Sequence, residues 1–411
     1  MKKQGKRTLT PKLRFPEFTE EWRRATIGEV FNSDDKPVKA ARFEKDKILT
    51  VRLHANGVAR NERTSALTGG SNYFTRRAGQ FIFSKIDLLN GAFGIVPEEF
   101  DGFYSSSDVP AFSFGREHSP TFFLNWLIAK YRCLDIERTG TSATLKRVSP
   151  EKFWKLSIPL PSLPEQQKIA ECLSSLDALI SAEGRKLAAL RDHKRGLMQQ
   201  LFPQPGETQP RLRFPEFRDK GGWEEKAISE LGEVITGSTP STTRSEYYGG
   251  DRQFVSPADI SELRFVRETK TTLTELGFQQ TRPIKAKSVL FVCIGSTIGK
   301  IAQNLKDCAT NQQINSIIAG PGISADFLYY LLSECSERIA MIAGNQAVPI
   351  INKSLFSGFK VLCPKEDEQH RIADCLTALD TQIAAQTAKI ESLKQHKRGL
   401  MQQLFPAAEE V

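Results

Sequence analysis

No stretch of this 411-residue chain approaches eighteen consecutive apolar residues, and the opening MKKQGKRTL has no apolar core of the kind a secretory leader carries. Secretion and membrane spanning are therefore not expected, and a cytoplasmic location is. The seven cysteines include no CxxC pair, so neither a zinc site nor a disulfide framework is expected, and an odd count fits a reducing compartment. Histidine is scarce, at five residues. Signatures of catalysis are missing as well: there is no Asn-Pro-Pro-aromatic methyltransferase motif and no GxxxxGK(S/T) phosphate loop. Residues 295–300 (GSTIGK) come near the latter, but with too few residues between the glycines, and a turn at a strand end explains them. Asp259 with Glu268, Thr269 and Lys270 has the residue types of a nuclease Mg²⁺ site, yet the other half of the chain holds no counterpart.

What is present is repetition. Residues 165–203 (EQQKIAECLSSLDALISAEGRKLAALRDHKRGLMQQLFP) recur as residues 368–406 (EQHRIADCLTALDTQIAAQTAKIESLKQHKRGLMQQLFP), and the last eleven residues are identical. In the first copy Ile169, Leu173, Leu176, Ile180, Glu183, Leu187, Leu190, Lys194, Leu197 and Leu201 alternate steps of four and three, the seam of a coiled coil. The second copy repeats it with Ile372, Leu376, Leu379, Ile383, Gln386, Ile390, Leu393, Lys397, Leu400 and Leu404. Each helix needs a partner for its apolar stripe, and the other copy is the nearest candidate. Glu183, Lys194, Gln386 and Lys397 interrupt the seam; such residues either fix register or mark where the seam turns toward another helix or solvent. Gly196, which costs about 1 kcal/mol inside a helix, suggests close approach by another chain or fraying near the end. Cys172 and Cys375 lie beside the seam and fit a packing role, while His193 and His396 fall on the polar face.

The repeat is longer than the helix. Residues 11–18 (PKLRFPEF) are followed by Trp22, and residues 210–217 (PRLRFPEF) by Trp223; the prolines make each an extended, turn-rich lead-in. Between lead-in and helix the copies diverge over a shared skeleton. Residues 80–85 (QFIFSK) and 288–294 (SVLFVCI) are strands followed by glycines. Polar clusters at 105–108 and 310–313 come next, then apolar helices over 122–131 and 327–332. Glycine-polar loops begin at Gly140 and Gly344, and final strands at 156–160 and 359–362 lead into the helices. Two mixed α/β domains of common ancestry follow, bounded as 1–157 and 210–360, with helix and linker at 158–209 and the second helix at 361–411.

Link lengths fix an arrangement. A 39-residue helix is about 58 Å long, whereas the link over 203–210 spans at most about 25 Å. The chain cannot return along the helix, so the second domain is expected at its far end, with the second helix running back antiparallel about a pseudo-twofold axis.

Charge is unevenly placed. The net +9 arises before the first helix: Lys and Arg number 27 against 18 Asp and Glu in residues 1–157, and the remaining segments nearly balance. A basic globular unit beside neutral helices points to a polyanion.

The LRFPEF lead-in with its tryptophan, the LPEQQKIA-type helix start, the heptad helix and the HKRGLMQQLFP ending, all duplicated around divergent domains, resemble a DNA specificity subunit of a type I restriction-modification system. The resemblance implies two target recognition domains, each reading half of a bipartite double-stranded DNA site whose unread spacer is set by the helices. It also implies two modification (methyltransferase) subunits docked on the helices and restriction (translocase and nuclease) subunits joining them. S-adenosylmethionine, ATP and Mg²⁺ would belong to those partners, leaving this chain without cofactor, metal or catalytic residues. The loop at 344–350 fits the family pattern, and that at 140–145 matches it loosely. A stand-alone nuclease with an internal duplication and a coiled-coil adaptor that binds only proteins remain as alternatives.

Base readout calls for donors and acceptors on loops. In the first domain the candidates are Arg52, Arg76, Arg77, Lys85, Thr141, Ser142, Lys146 and Arg147. In the second they are Arg244, Tyr247, Lys285, Lys287, Thr297, Lys300, Asn311 and Gln312. The pair Lys146-Arg147 stands out, on phosphate or on bases.

Overall fold

The structure, a computed structural model, describes residues 9–40, 44–62, 72–138, 146–344 and 348–406. Its first half contains β1 (Arg23–Thr26), β2 (Leu49–Val51), β3 (Val58–Arg60), β4 (Tyr73–Thr75), β5 (Phe81–Phe83), β6 (Phe93–Ile95), β7 (Tyr104–Ser106), β8 (Ala111–Phe112), α1 (Pro120–Lys130), α2 (Pro150–Trp154), β9 (Ser157–Leu160) and the long α3 (Leu163–Leu201). The second half runs β10 (Glu224–Ala227), α4 (Ile228–Leu231), β11 (Gly232–Thr236), β12 (Tyr248–Val255), β13 (Phe265–Val266), β14 (Thr271–Leu273) and α5 (Glu275–Phe278). It continues with β15 (Val289–Val292), β16 (Ile301–Asn304), β17 (Cys308–Thr310), β18 (Ile314–Ala319), α6 (Ala325–Glu334), α7 (Ser336–Met341), α8 (Lys353–Gly358), β19 (Lys360–Cys363) and α9 (Glu366–Leu404).

These elements form two compact units, Met1–Glu183 with Lys389–Val411, and Gly184–Ala388. Each unit therefore takes the first half of one long helix and the second half of the other, so the helices are divided between the units.

In the first unit β5 lies between β6 and β8, all antiparallel, and β1 pairs with β9 so that the residues after the lead-in lie beside those before α3. The alternating FIF of β5 is fully buried because both its faces are covered, and the core around it is built largely from phenylalanine rings. Phe81 meets Phe123 edge-on at 5.1 Å, and Phe83 meets Phe153 of α2 at 5.3 Å. Aromatic pairs in these tilted geometries contribute beyond their buried area. Ser119 caps α1 and Ser149 caps α2, each accepting a backbone N–H, with proline at the first helical position. Ile169 and Leu173 of α3 and Met401, Leu404 and Phe405 at the end of α9 close this core, Phe405 lying 5.6 Å from Phe122.

The second unit has a five-stranded sheet ordered β11-β18-β15-β16-β13 and a three-stranded sheet β14-β12-β17, with β10 paired to β19. Its core is closed the same way with the helices exchanged: Ile372 and Leu376 of α9, and Leu201 and Phe202 at the end of α3, with Phe202 edge-on to Trp223 at 6.0 Å. The repeated LMQQLF run thus has a physical account, since it supplies the apolar plug of a domain that its own lead-in did not begin.

The long helices start in matching clasps. Glu165, 1 % exposed, accepts Arg14 at 2.7 and 2.8 Å and the Trp22 indole N–H at 3.1 Å. Glu368, 2 % exposed, accepts Arg213 at 2.8 and 2.7 Å and the Trp223 indole at 3.3 Å. The carboxylates raise the affinity of both guanidiniums for their protons against the cost of burial. The next residue is matched too: the Gln166 carbonyl accepts the Ser119 N–H and its amide donates to Pro161, while Gln369 does the same with Ser324 and Pro364. The repeated pieces, LRFPEF, the tryptophan after it and the Glu-Gln pair at each helix start, are parts of one joint.

Seam residues lie on the expected stripe: Ile169, Leu173, Leu201, Ile372, Leu376, Ile390 and Leu404 are buried, while Leu176, Ile180, Leu187, Leu190, Leu197, Leu379, Ile383, Leu393 and Leu400 are half-buried. In the first unit Lys397 donates to Asp177 at 2.6 Å and Lys389 to Glu183 at 2.5 Å; in the second Lys194 donates to Asp380 at 2.6 Å. Positions rising along α3 meet positions falling along α9, so the helices are antiparallel within each unit. Asp177 and Asp380 occupy matching repeat positions, as do Lys194 and Lys397, so one ion pair is made twice. The seam lysines therefore act in register rather than facing away, and Gln386 is buried. A side-chain carbon added at Gly196 or Gly399 would meet nothing within 4 Å, so no close approach within the described chain accounts for those glycines. His193 and His396 are exposed, as their polar-face positions suggest.

Candidate nucleic-acid interface

In the first unit the turn between β5 and β6 gathers the segments that carry half of the candidates, Arg52, Lys85, Lys146 and Arg147. The Lys85 N–H donates to the Asp108 carbonyl at 2.9 Å, and its own carbonyl accepts the Val148 N–H at 2.7 Å. Its neighbour Arg147 forms a two-bond ion pair with the Asp108 carboxylate at 3.0 and 3.1 Å, both side chains about two-fifths exposed; Asp108 raises the Arg147 pKa. The loop that follows Arg52 leans on the same turn, with His54 and Ala55 donating backbone N–H groups to Asn90 and Gly91 at 2.8 Å. His54 and Ala55 hold φ of 60° and 57°, in the left-handed region that costs non-glycine residues energy. A side-chain carbon on Gly91 would come within 2.8 Å of the Ala55 nitrogen, so glycine is required where the loops touch.

Arg52 and Lys146 are exposed near this turn, and Lys85 is half-buried. Arg77 is exposed and ion-paired with Asp35. Arg76 is a correction. It is 2 % exposed, donates to Ser105 at 2.6 Å and to the Val109 carbonyl at 3.1 Å, and burial lowers its pKa to about 10. Its role is to hold the 105–109 loop from within. Lys85 and Arg76 border a cleft of about 510 Å³ whose other walls include Phe74, Phe112 and Trp154. Thr141 and Ser142 lie outside the described residues.

The second unit builds the same junction from different side chains. Cys293 takes the place of Lys85: its N–H donates to Gln313 at 2.8 Å and its carbonyl accepts Ile351 at 2.8 Å. Around it Gly295 donates to Pro349, Lys300 to the Thr297 carbonyl, and Ser238 to the Thr310 carbonyl. Asn311 donates its amide to Gln313 at 2.9 Å, and Thr239 donates its hydroxyl to Gln312 at 2.6 Å. A side-chain carbon on Gly237 would overlap the Asn311 carbonyl at 2.2 Å. Thr297, Lys300, Asn311 and Gln312 are thus brought together, with Lys300 and Gln312 exposed.

Lys285 and Lys287 are exposed but precede β15, at its opposite end from this junction, where the Lys287 N–H donates to Asn304. Arg244 is exposed and donates to the Tyr247 hydroxyl at 3.1 Å, whereas Tyr247 itself is buried. Tyr247 is therefore corrected from a reader to a support for Arg244. The metal-site reading of Asp259 is overturned by geometry. One of its oxygens accepts the Ser256 N–H and hydroxyl at 2.8 and 2.6 Å and the other the Lys270 N–H at 2.9 Å, so the carboxylate pins a turn. Residues 295–300 are the β15–β16 turn.

Sequence reasoning passed over His54, Asp108, Thr239 and Gln313. Asp108 and Gln313 lay inside polar clusters already matched between the copies, and Thr239 in a Gly-Ser-Thr-Pro loop; the pairing of those loops with the turn was the missing signal.

Known proteins bear on this arrangement. The family described as "Type I restriction modification DNA specificity domain" matches residues 19–191 and 220–395. The HindI specificity subunit of Haemophilus influenzae is 36% identical over 151 residues, 36% of this chain and 33% of that protein. The MjaIX specificity subunit of Methanocaldococcus jannaschii is 29% identical over 188 residues, 44% of each chain. The chain spans from a third to just under two thirds of the length of the curated relatives it matches. The fold is shared with a crystal structure of the type I restriction-modification S subunit from M. genitalium, at a TM-score of 0.59 and 15% identity over 97% of this chain and 99% of that one. A chain from a structure of the type I R-M system gives 0.57 and 18% over 94% and 98%. With the family matched in both copies of the repeat, the chain belongs to the type I restriction-modification DNA specificity family.

Proposed function

We propose that the chain is the non-catalytic DNA-reading subunit of a type I restriction-modification complex. Each unit reads one half of an asymmetric bipartite site in double-stranded DNA, and α3 and α9 set the unread spacer. Two modification (methyltransferase) subunits dock on the repeated helix faces and restriction subunits join that assembly. S-adenosylmethionine is held by the former and ATP and Mg²⁺ by the latter.

The observation that carries this reading is a repeated joint beneath unlike surfaces. The Glu165 and Glu368 clasps match bond for bond, whereas the turns above them present Lys85, Asp108 and Arg147 in one unit and Thr297, Lys300, Asn311 and Gln312 in the other. A scaffold held constant under variable donors and acceptors suits two different half-sites. Lysine and arginine match guanine acceptors, asparagine and glutamine match adenine, and a carboxylate matches the cytosine amino group.

Mapping methylated adenines in a host expressing the chain with its modification subunit tests it. Two unlike half-sites at one fixed spacing are expected. Methylation without such a pattern, or Mg²⁺-dependent cleavage by the chain alone, would overturn it.

A further inference from the structure

Arg264, immediately before β13, is 6 % exposed, and its guanidinium is fully engaged inside the second unit. Its Nε donates to Gln303 of β16 at 2.7 Å, one terminal nitrogen donates to the Tyr330 hydroxyl at 3.0 Å and the Thr377 hydroxyl at 2.8 Å, and the other pairs with Asp326. Its central carbon lies 4.7 to 5.1 Å from the rings of Phe265, Tyr330 and Tyr329. The Tyr330 hydroxyl passes the connection on, donating to Asp380 at 2.6 Å, and the second Asp380 oxygen accepts Lys194 at 2.6 Å. An unbroken polar chain thus runs from the sheet, through α6, to α9 and then to α3. Gln303 extends it the other way, donating to the Lys287 carbonyl at 3.1 Å.

The first unit is built otherwise. Ser119 and Ser324 cap α1 and α6 equivalently, with Phe122 and Phe327 three residues on. By that alignment the place of Tyr330 is held by Asn125, which donates within its own helix to the Thr121 carbonyl, and the place of Asp326 by Thr121. The ion pair Asp177–Lys397 is present, but the residue matching Tyr330 has no phenol with which to reach it.

Apolar contact is non-directional and tolerates sliding, whereas hydrogen bonds weaken steeply with misalignment. One added spacer base pair moves a half-site about 3.4 Å and turns it about 34° around the DNA axis. Both domains are held on the helices by the matching Glu165 and Glu368 joints; the second is tied in addition through Arg264 and Tyr330 and must break several further bonds to yield to such a change.

We propose that Arg264 and Tyr330 are positioning residues that fix the second domain on the helix pair, so that discrimination between spacer lengths rests chiefly on the second domain. The inference rests on the bipartite-reading function above. Its test is methylation, by the full complex, of DNAs carrying both half-sites at the native spacing and at one base pair more or less. Tyr330→Phe removes the hydroxyl and keeps the ring. It is expected to raise methylation at the altered spacings relative to the native one about tenfold, the worth of one bond to a charged group, with both half-site sequences unchanged. Thr377→Val, which removes only the Arg264 contact to α9, is expected to shift the ratio the same way, and Asn125→Ala in the first domain to leave it alone. An unchanged ratio in both second-domain variants, alongside a wild-type bipartite pattern, overturns the inference alone. Absence of any bipartite pattern in the wild type overturns the reading function and the inference with it.

Discussion

Glu165 and Glu368 are charges buried almost completely, and a buried carboxylate is stable only while its partner stays. Arg213→Met leaves Glu368 among apolar groups and is expected to cost about 3–5 kcal/mol, read as a lowered midpoint in urea unfolding. Arg14→Met is expected to act alike on the first unit. The exposed pair Arg23–Glu29, both side chains about half exposed, supplies the contrast, since Arg23→Met is expected to cost under about 1 kcal/mol. Equal effects from the buried and exposed pairs would refute the clasp. At this scale the sequence was informative about which residues matter and silent about why. Glu165 was legible as part of a repeated helix start and Arg14 as part of a repeated lead-in, but the contact joins residues 151 positions apart. Burial was hardest to foresee. Arg76 and Tyr247 have the residue types of DNA readers, and only the packing around them shows that they face inward.

Among the elements, α3 and α9 were the most legible, because a period of four and three steps identifies both the helix and its apolar stripe. Their direction followed from the short link over 203–210. Their register did not, because it depends on Asp177 and Asp380, which lie just off the apolar stripe and carry no periodic signal. Lys194→Asp is expected to destabilise the chain by about 1.5–3 kcal/mol, from loss of a charged hydrogen bond and from repulsion with Asp380. Adding Asp380→Lys is expected to recover more than half of that, measured as coupling in a double-mutant cycle. Zero coupling would mean that the apolar stripe alone sets the register. The short strands and the turns between them were placed approximately from β-rich runs and glycines. Which loops meet at the β5–β6 and β15–β16 turns depends on long-range backbone bonds that no local pattern encodes.

At the level of the whole molecule, the proposed spacer function makes a quantitative demand on helix length. A DNA reader must match both the distance to its half-site and the face of the duplex on which that half-site lies. One heptad inserted at matching points in α3 and α9 preserves the seam and adds about 10.5 Å of helix, close to three base pairs at 3.4 Å each. Three base pairs also turn the duplex by about 100°, and a heptad offers no such rotation, so the single insertion is expected to weaken methylation at every spacing. Three heptads add about 31 Å, close to the 34–36 Å of one DNA turn, and bring distance and face back into phase together. Methylation is then expected to return at the same two half-sites with a spacer longer by about nine or ten base pairs, read by mapping modified adenines on a library of spacer lengths. Recovery at the original spacer, with 21 residues added to each helix, would show that something other than these helices sets the distance.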